Sequence, residues 1–501
     1  MAKRKKQIII KNKDLQVDLF EGTLLAVDDN KGYTEQQKAF INYTGESCVI
    51  LASCAGAGKT YSCVQRLKEL LKRGVDPSKI IFFSFTKAAT EELQKRIGDS
   101  EIKITTIHAF CLGILAKVGK FKKIATFYDF IQWFQEKYKP KPSASAEEKD
   151  FYYDTIGTLY EEADFLSSAI AAFKLQSADG IKCMVPSYIT EYGKFLRESK
   201  SRDFSDMLIE VRDLLREDKW LKMFRNQYEY IFVDEYQDTS TIQLQILLSL
   251  NAQYYYMIGD RNQSIYGYSG ANCDKLESLL KERRPETVEM TLSVNFRSDQ
   301  KIVENSNNYS SLKAVANSKE EGFVDDKVMA KIDELVEVLQ FPEQVAVLVR
   351  TNDVIKKLEL MMLKRKVPIK YFNYITPADI KNFHKGEVHS SLKNKLAKLK
   401  DYFDDDRDII HFIERNKNSN KFITTIHKSK GREFDTCVVI NSISPTLLQQ
   451  NDIYDRLNNK QLEKISFDPD DEENIEPRNI HYVAVSRSKH KLYFMVMLWN
   501  K

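Results

Sequence analysis

The sequence predicts an α/β protein built from parallel sheets with helices on both faces. Short apolar, β-rich runs recur at 48–52, 80–84, 102–107, 230–233, 254–258, 288–292, 345–349, 422–426, 436–441 and 492–498. Most lack strict apolar/polar alternation, the pattern of strands buried on both faces. Most are followed by polar, helix-prone stretches, which supply the crossovers that parallel strands require. A chain of 501 residues, 43% hydrophobic, is too long for one compact core, so several domains are expected.

The N-terminus, MAKRKKQIII, has too short an apolar stretch after its basic residues for a secretory signal. Lys3 to Lys6 read as a basic tail or a localisation signal. No run of about 18 apolar residues is present, so no membrane span is expected. The net charge of +4 neither supports nor excludes a nucleic-acid partner. The seven cysteines form no C-x-x-C pair and no cluster with zinc or iron–sulfur spacing. Reduced thiols in a cytoplasmic compartment are the expectation.

The first chemistry-bearing run is VILASCAGAGKT, residues 49–60. It reads as a strand, a turn of small residues and the start of a helix. Small residues let backbone N–H groups approach phosphate oxygens, and the helix N-terminus adds partial positive charge. Ala55, Gly56, Ala57 and Gly58 would line the phosphates. Lys59 would reach the β- and γ-phosphates of ATP, and Thr60 would hold Mg2+. The phosphate-loop pattern asks for glycine at position 53, where this chain has Ser53. Cys54 inside the loop is a small packing residue or, on the alternative reading, an oxidation-sensitive thiol.

The second run, YIFVDEYQD at 230–238, is an apolar strand ending in two acids. Asp234 can face the metal ion, and Glu235 can polarise the attacking water as general base. A phosphate loop followed by a strand with this acidic end is the arrangement of an ATP hydrolase.

From here the chain resembles the UvrD/Rep/PcrA helicases of superfamily 1. VDEYQDTS resembles their DExQDT signature, and eight further runs occur in the family's order. TEQQKAF (34–40) resembles the Q motif. SFTKAATEELQKRI (84–97) and TTIHAFC (105–111) resemble motifs Ia and Ib. DFSDML (203–208) resembles the DFxDLL element, and MIGDRNQSIYGYSGA (257–271) motif III. LSVNFRS (292–298), TTIHKSKGREFD (424–435) and YVAVSRSKHKL (482–492) resemble motifs IV, V and VI.

The resemblance implies two RecA-like domains. Residues 1–111 with 201–286 would form the first, and 287–380 with 419–501 the second. A helical insertion would occupy 112–200, and 381–418 would be a vestige of a second. The acids at 404–406 in that vestige read as a solvated turn. Relatives are often longer. Because motif VI runs to the end of this sequence, no nuclease module is expected after it.

The resemblance also assigns roles. Gln37 would read adenine, Phe296 would stack on it and Glu433 would contact the ribose. Gln263 would sense the γ-phosphate, with Arg297 and Arg487 as arginine fingers from the second core domain. DNA would lie on Phe85, His108, Tyr266, Tyr268 and His427, the tyrosines as stacking platforms. The two tyrosines can also be core residues, and each histidine can be a structural hydrogen-bonder. Two positions depart from the pattern: Tyr61 and Ser269 stand where the family usually has arginine.

The implied activity is ATP-dependent DNA helicase or translocase action, 3′→5′ on single-stranded DNA, with ss/ds junctions as substrates. A protein partner or self-association would assist unwinding. The alternative is a DNA-stimulated ATPase that remodels protein–DNA complexes or acts as a switch and barely unwinds. The intact Lys59, Asp234, Glu235, Gln263, Arg297 and Arg487 argue against a third reading, a binding subunit with a dead ATPase. Short helicases of this kind occur in phage replication, bacterial repair and anti-phage defence.

Overall fold

A computed structural model describes residues 32–45, 48–98, 101–267, 271, 273–370, 375–468 and 475–497. The N-terminal basic tail, Tyr268 and Ser269 lie outside the described residues. The chain divides into two compact units, the first comprising 35–321 with 467–483 and the second mainly 322–466 with the chain from 484 onward.

The first unit is built on six parallel strands: β1 Val49–Ser53, β2 Ile80–Phe83, β3 Lys103–Thr105, β4 Tyr230–Asp234, β5 Tyr254–Gly259 and β6 Val288–Leu292. Their order is β3-β2-β4-β5-β1-β6. β1, β2 and β4 are buried at nearly every position, which is why they read as continuous apolar runs. Helices cover both faces. One core layer joins Ile50, Ile81 and Ile231 to Phe110, Met207 and Leu247. The other joins Leu51, Phe82 and Phe232 to Phe40 and Leu67.

Between β3 and β4 the helices Phe127–Tyr138, Ala146–Glu161, Ala163–Ala178 and Ile189–Glu198 gather around a separate core of Phe130, Ile131, Leu159, Ile170 and Phe195. Thr126 with Asp129 and Ser145 with Glu148 form reciprocal capping boxes that start two of these helices.

Residues 287–321 do not follow the expected division. β6 pairs with β1 in register Val49↔Val288 to Ser53↔Leu292, and β7 Val294–Asn295 pairs with β8 Val315–Ala316. Val303 and Ala314 join the core of the first unit. Phe296 and Arg297 therefore belong to the unit that carries the phosphate loop. The physical reason is hydrogen bonding: the run VEMTLSVN reads locally as a strand, and only its partner decides which sheet it enters.

The second unit has five parallel strands, β9 Phe323–Met329, β10 Val345–Val349, β11 Lys421–Thr425, β12 Phe434–Ile440 and β13 Ser488–Met495, in the order β11-β10-β12-β13-β9. The helices Pro377–His384, Ser390–Ala397 and Asp406–Arg415 fill the segment from 377 to 415. Ile380, Leu392, Leu396, Ile409 and Ile413 share one core with Val347, Ile423 and Val438 of the sheet. Within the acidic run, Asp405 caps the last of these helices, its side chain accepting from the Asp408 N–H.

Candidate nucleotide and DNA site

In the first unit, motif-bearing segments leave the carboxyl ends of neighbouring parallel strands, where open α/β sheets bind ligands. β1 runs into the small-residue turn, and Lys59 opens the helix Lys59–Lys72. Gly56 and Gly58 have φ of 71° and 74°, which side chains rarely adopt. A Cβ on Gly56 would also lie 2.7 Å from Cβ of Arg297 and 2.9 Å from Oδ1 of Asn295. A Cβ on Gly58 would meet Nε2 of Gln37 at 3.4 Å. Gln37 is buried beside the turn. Phe296 is tied to it, its N–H donating to the Gly56 carbonyl at 2.9 Å. Ser53, where the phosphate-loop pattern has glycine, ends β1, and its hydroxyl donates to the Gly259 carbonyl at 2.8 Å.

β4 delivers the acids. The Lys59 ammonium lies 3.7 Å from Oε1 of Glu235. Burial disfavours the charged lysine, but Glu235, Asp260 and Asp234 together outweigh it and the repulsion from Arg297, so its pKa is raised. Glu235 sits at φ 53°, a left-handed conformation that turns the chain sharply after the strand. Its carboxylate accepts from the Gln237 amide, whose oxygen accepts from the Asp260 N–H at 3.1 Å.

Asp260, at the end of β5, had not been expected in the site. Its Oδ2 accepts from the Gln263 amide at 2.8 Å and from the Tyr482 hydroxyl at 3.3 Å. That hydroxyl accepts in turn from the Ala55 N–H at 3.1 Å. Burial raises the Asp260 pKa, while Lys59 opposes the rise. An acid directly after an apolar strand was the available signal, the same one that marked Asp234. The Tyr482 link spans hundreds of residues and left no local sign.

Cys54 is buried, and burial together with Asp260 pushes its thiol up to about 12. The thiolate is the reactive form, so the oxidation-sensitive alternative is set aside in favour of packing.

Two of the expected DNA-contacting rings meet. Phe85, after β2, and Tyr266, after β5, have centroids 5.4 Å apart and planes at 34°, and Phe85 is 47% exposed. His108, after β3, stands edge-on to the exposed Phe204 at 5.1 Å, and burial lowers its pKa, favouring neutral imidazole. Phe204 is a further exposed aromatic, beside His108.

In the second unit, His427 lies in the short helix Ile426–Ser429 after β11. Glu433 is 3.9 Å from the Lys489 ammonium. Arg487 is buried, donating to the Arg432 carbonyl at 3.1 Å and to the Ser486 hydroxyl at 3.0 Å. No group of three or more potential metal-ligating His, Cys, Asp or Glu occurs among the described residues, and no described helix is long and apolar enough to cross a membrane.

A phosphate loop, a strand-end acid pair and two parallel α/β units define a protein of the P-loop type with two RecA-like halves. The chain belongs to the UvrD/REP helicase family. The model of the UvrD/REP helicase N-terminal domain matches residues 33–284, and that of the UvrD-like helicase C-terminal domain matches 380–498. The chain is 27% identical to the ATP-dependent DNA helicase Rep of Buchnera aphidicola over 386 residues, 71% of this chain and 56% of the relative. It is 29% identical to a probable DNA helicase II homolog of Mycoplasma pneumoniae, over 54% of this chain and 40% of the relative. It is 28% identical to the ATP-dependent DNA helicase PcrA of Staphylococcus aureus, over 55% of this chain and 39% of the relative. The chain thus spans about half the length of the curated relatives it matches.

Proposed function

We propose that this chain is an ATP-driven motor on single-stranded DNA that moves 3′→5′. The observation that carries the reading is that two chemistries share the carboxyl ends of the strands of one sheet. Lys59, Asp234 and Glu235 gather beside the phosphate loop, and the segment that holds Gln263 continues within three residues to Tyr266, paired with Phe85. One short segment would then touch both nucleotide and DNA. Gln37 and Phe296 would hold adenine, and Glu433 the ribose. The Thr60 hydroxyl and the Asp234 carboxylate are hard oxygen donors suited to Mg2+, which would neutralise phosphate charge when bound. Glu235 would take the proton of the attacking water, with Gln263 aligned by Asp260. His108 and His427 would contact the strand, as would Tyr268. The site of action would be the cytoplasm.

Ile380, Leu392, Leu396, Ile409 and Ile413 of the segment from 377 to 415 pack into the core of the second sheet. This favours a second reading: translocation and protein displacement with weak unwinding by the monomer, unless a partner or second copy covers the duplex. Duplexes with 3′ or 5′ single-stranded tails, and streptavidin on either end of a single strand, separate the two. ATP-dependent displacement of streptavidin from the 5′ end alone supports the 3′→5′ motor, and added unwinding of the 3′-tailed duplex supports the helicase. No displacement of either kind contradicts both.

Tyr266→Ala and Phe85→Ala are each expected to weaken single-strand binding by roughly 5- to 150-fold, the equivalent of about 1–3 kcal/mol per stacked base. Basal ATP hydrolysis should persist, because Lys59, Asp234 and Glu235 are left in place. Fluorescence anisotropy with an oligo-dT strand reads the effect; unchanged affinity in both variants contradicts the stacking role.

A further inference from the structure

One buried carboxylate joins three segments of the first unit. Glu277 lies on the helix Cys273–Arg283, 2% exposed. Its Oε1 accepts from the Tyr236 hydroxyl at 2.5 Å and from Nε of Arg261 at 2.6 Å, and its Oε2 accepts from Nη2 of Arg261. The Cys273 thiol stands 3.5 Å from Oε1, and Arg261 also reaches Asp274 at 3.6 Å.

Tyr236 is the residue after Glu235 and is fully buried. Arg261 opens the turn that carries Gln263 and leads to Tyr266, and Glu277 follows the far end of that segment. The paired N–H bonds of a planar guanidinium fix direction as well as distance. Tyr236 is also pressed onto the end of β5, where a Cβ on Gly259 would come within 2.7 Å of its ring. A buried carboxylate is costly unless its oxygens are satisfied, and here both are occupied by the segments it joins.

We propose that the Arg261–Glu277–Tyr236 cluster is the positioning element that passes engagement of a DNA strand at Tyr266 to the water-activating Glu235. The proposal rests on the motor reading above. A base stacked on Tyr266 shifts the segment that starts at Arg261. The paired guanidinium carries that shift to Glu277, and the Tyr236 hydroxyl delivers it to the residue beside Glu235. None of the three residues need touch nucleotide or DNA.

The test uses the full chain, with Tyr236→Phe, Arg261→Gln and the double variant, in ATPase assays without DNA and titrated with an oligo-dT strand. The stimulated plateau is expected to fall by roughly 3- to 30-fold while the basal rate and half-saturating DNA concentration stay within about twofold of the wild type. Because both substitutions act through Glu277, the double variant should be no worse than the worse single variant. Arg261→Lys should recover only part of the plateau, since an ammonium cannot form the paired contact. Tyr236→Phe removes one oxygen and keeps the ring, so it remains informative if Arg261→Gln fails to fold. A wild-type plateau in folded Tyr236→Phe, or equal losses of basal and stimulated rate, overturns the coupling role. A wild type that hydrolyses ATP without any response to DNA overturns the motor reading itself.

Discussion

Replacing Arg297 by alanine is expected to slow ATP turnover by about 10³-fold while leaving ATP affinity near that of the wild type. The side chain lies beside the phosphate loop, in reach of the Lys59 charge. The backbone N–H of Arg297 donates to Oδ1 of Asn295 at 2.8 Å, and the Asn295 amide donates to the Ala55 carbonyl at 2.9 Å, so the backbone that carries the guanidinium is tied to the loop. Phosphoryl transfer spreads charge over three equatorial oxygens, and a cation placed there acts mainly in the transition state. The loss should therefore appear in kcat. Arg487, proposed as the second arginine finger, should give the same signature when changed to alanine. An equal loss of ATP binding would reassign either arginine to ground-state binding.

Glu235→Gln is expected to bind ATP and to lose hydrolysis by a factor on the order of 10² or more, because the amide accepts no proton from water. The carboxylate stands 3.7 Å from the Lys59 ammonium. Lys59→Ala should lose binding as well as turnover. Single-turnover hydrolysis with a separate nucleotide-binding titration distinguishes the two. Near-normal turnover by Glu235→Gln would remove the proposed general base.

The interior strands were readable because burial on both faces leaves continuous apolar runs, as at Val345–Val349. β9, with Asp325, Asp326 and Lys327 at the edge of its sheet, carries no such run and was missed. The assignment of β6 depended on its partner β1, which no local pattern records. In the candidate site, Lys59, Asp234 and Glu235 are legible as candidates because loop and strand-end chemistry impose fixed local spacing. Asp260 carries the same local signal, an acid directly after an apolar strand, whereas Tyr482 and the Glu277 cluster carry none, because their contacts join distant segments. Phe85 and Tyr266 are each legible in their own motif, but their contact is not: the segments that follow β2 and β5 meet across the end of the intervening β4.

In the proposed motor, ATP hydrolysis drives directed movement along one DNA strand. The most direct measurement follows the arrival of the protein at a fluorophore on the 5′ end of oligo-dT strands of increasing length, after mixing with Mg2+–ATP in single-turnover conditions. An arrival time that grows linearly with strand length and a signal that disappears in Glu235→Gln are expected of such a motor. An arrival time independent of length, or a signal that persists in that variant, would contradict it.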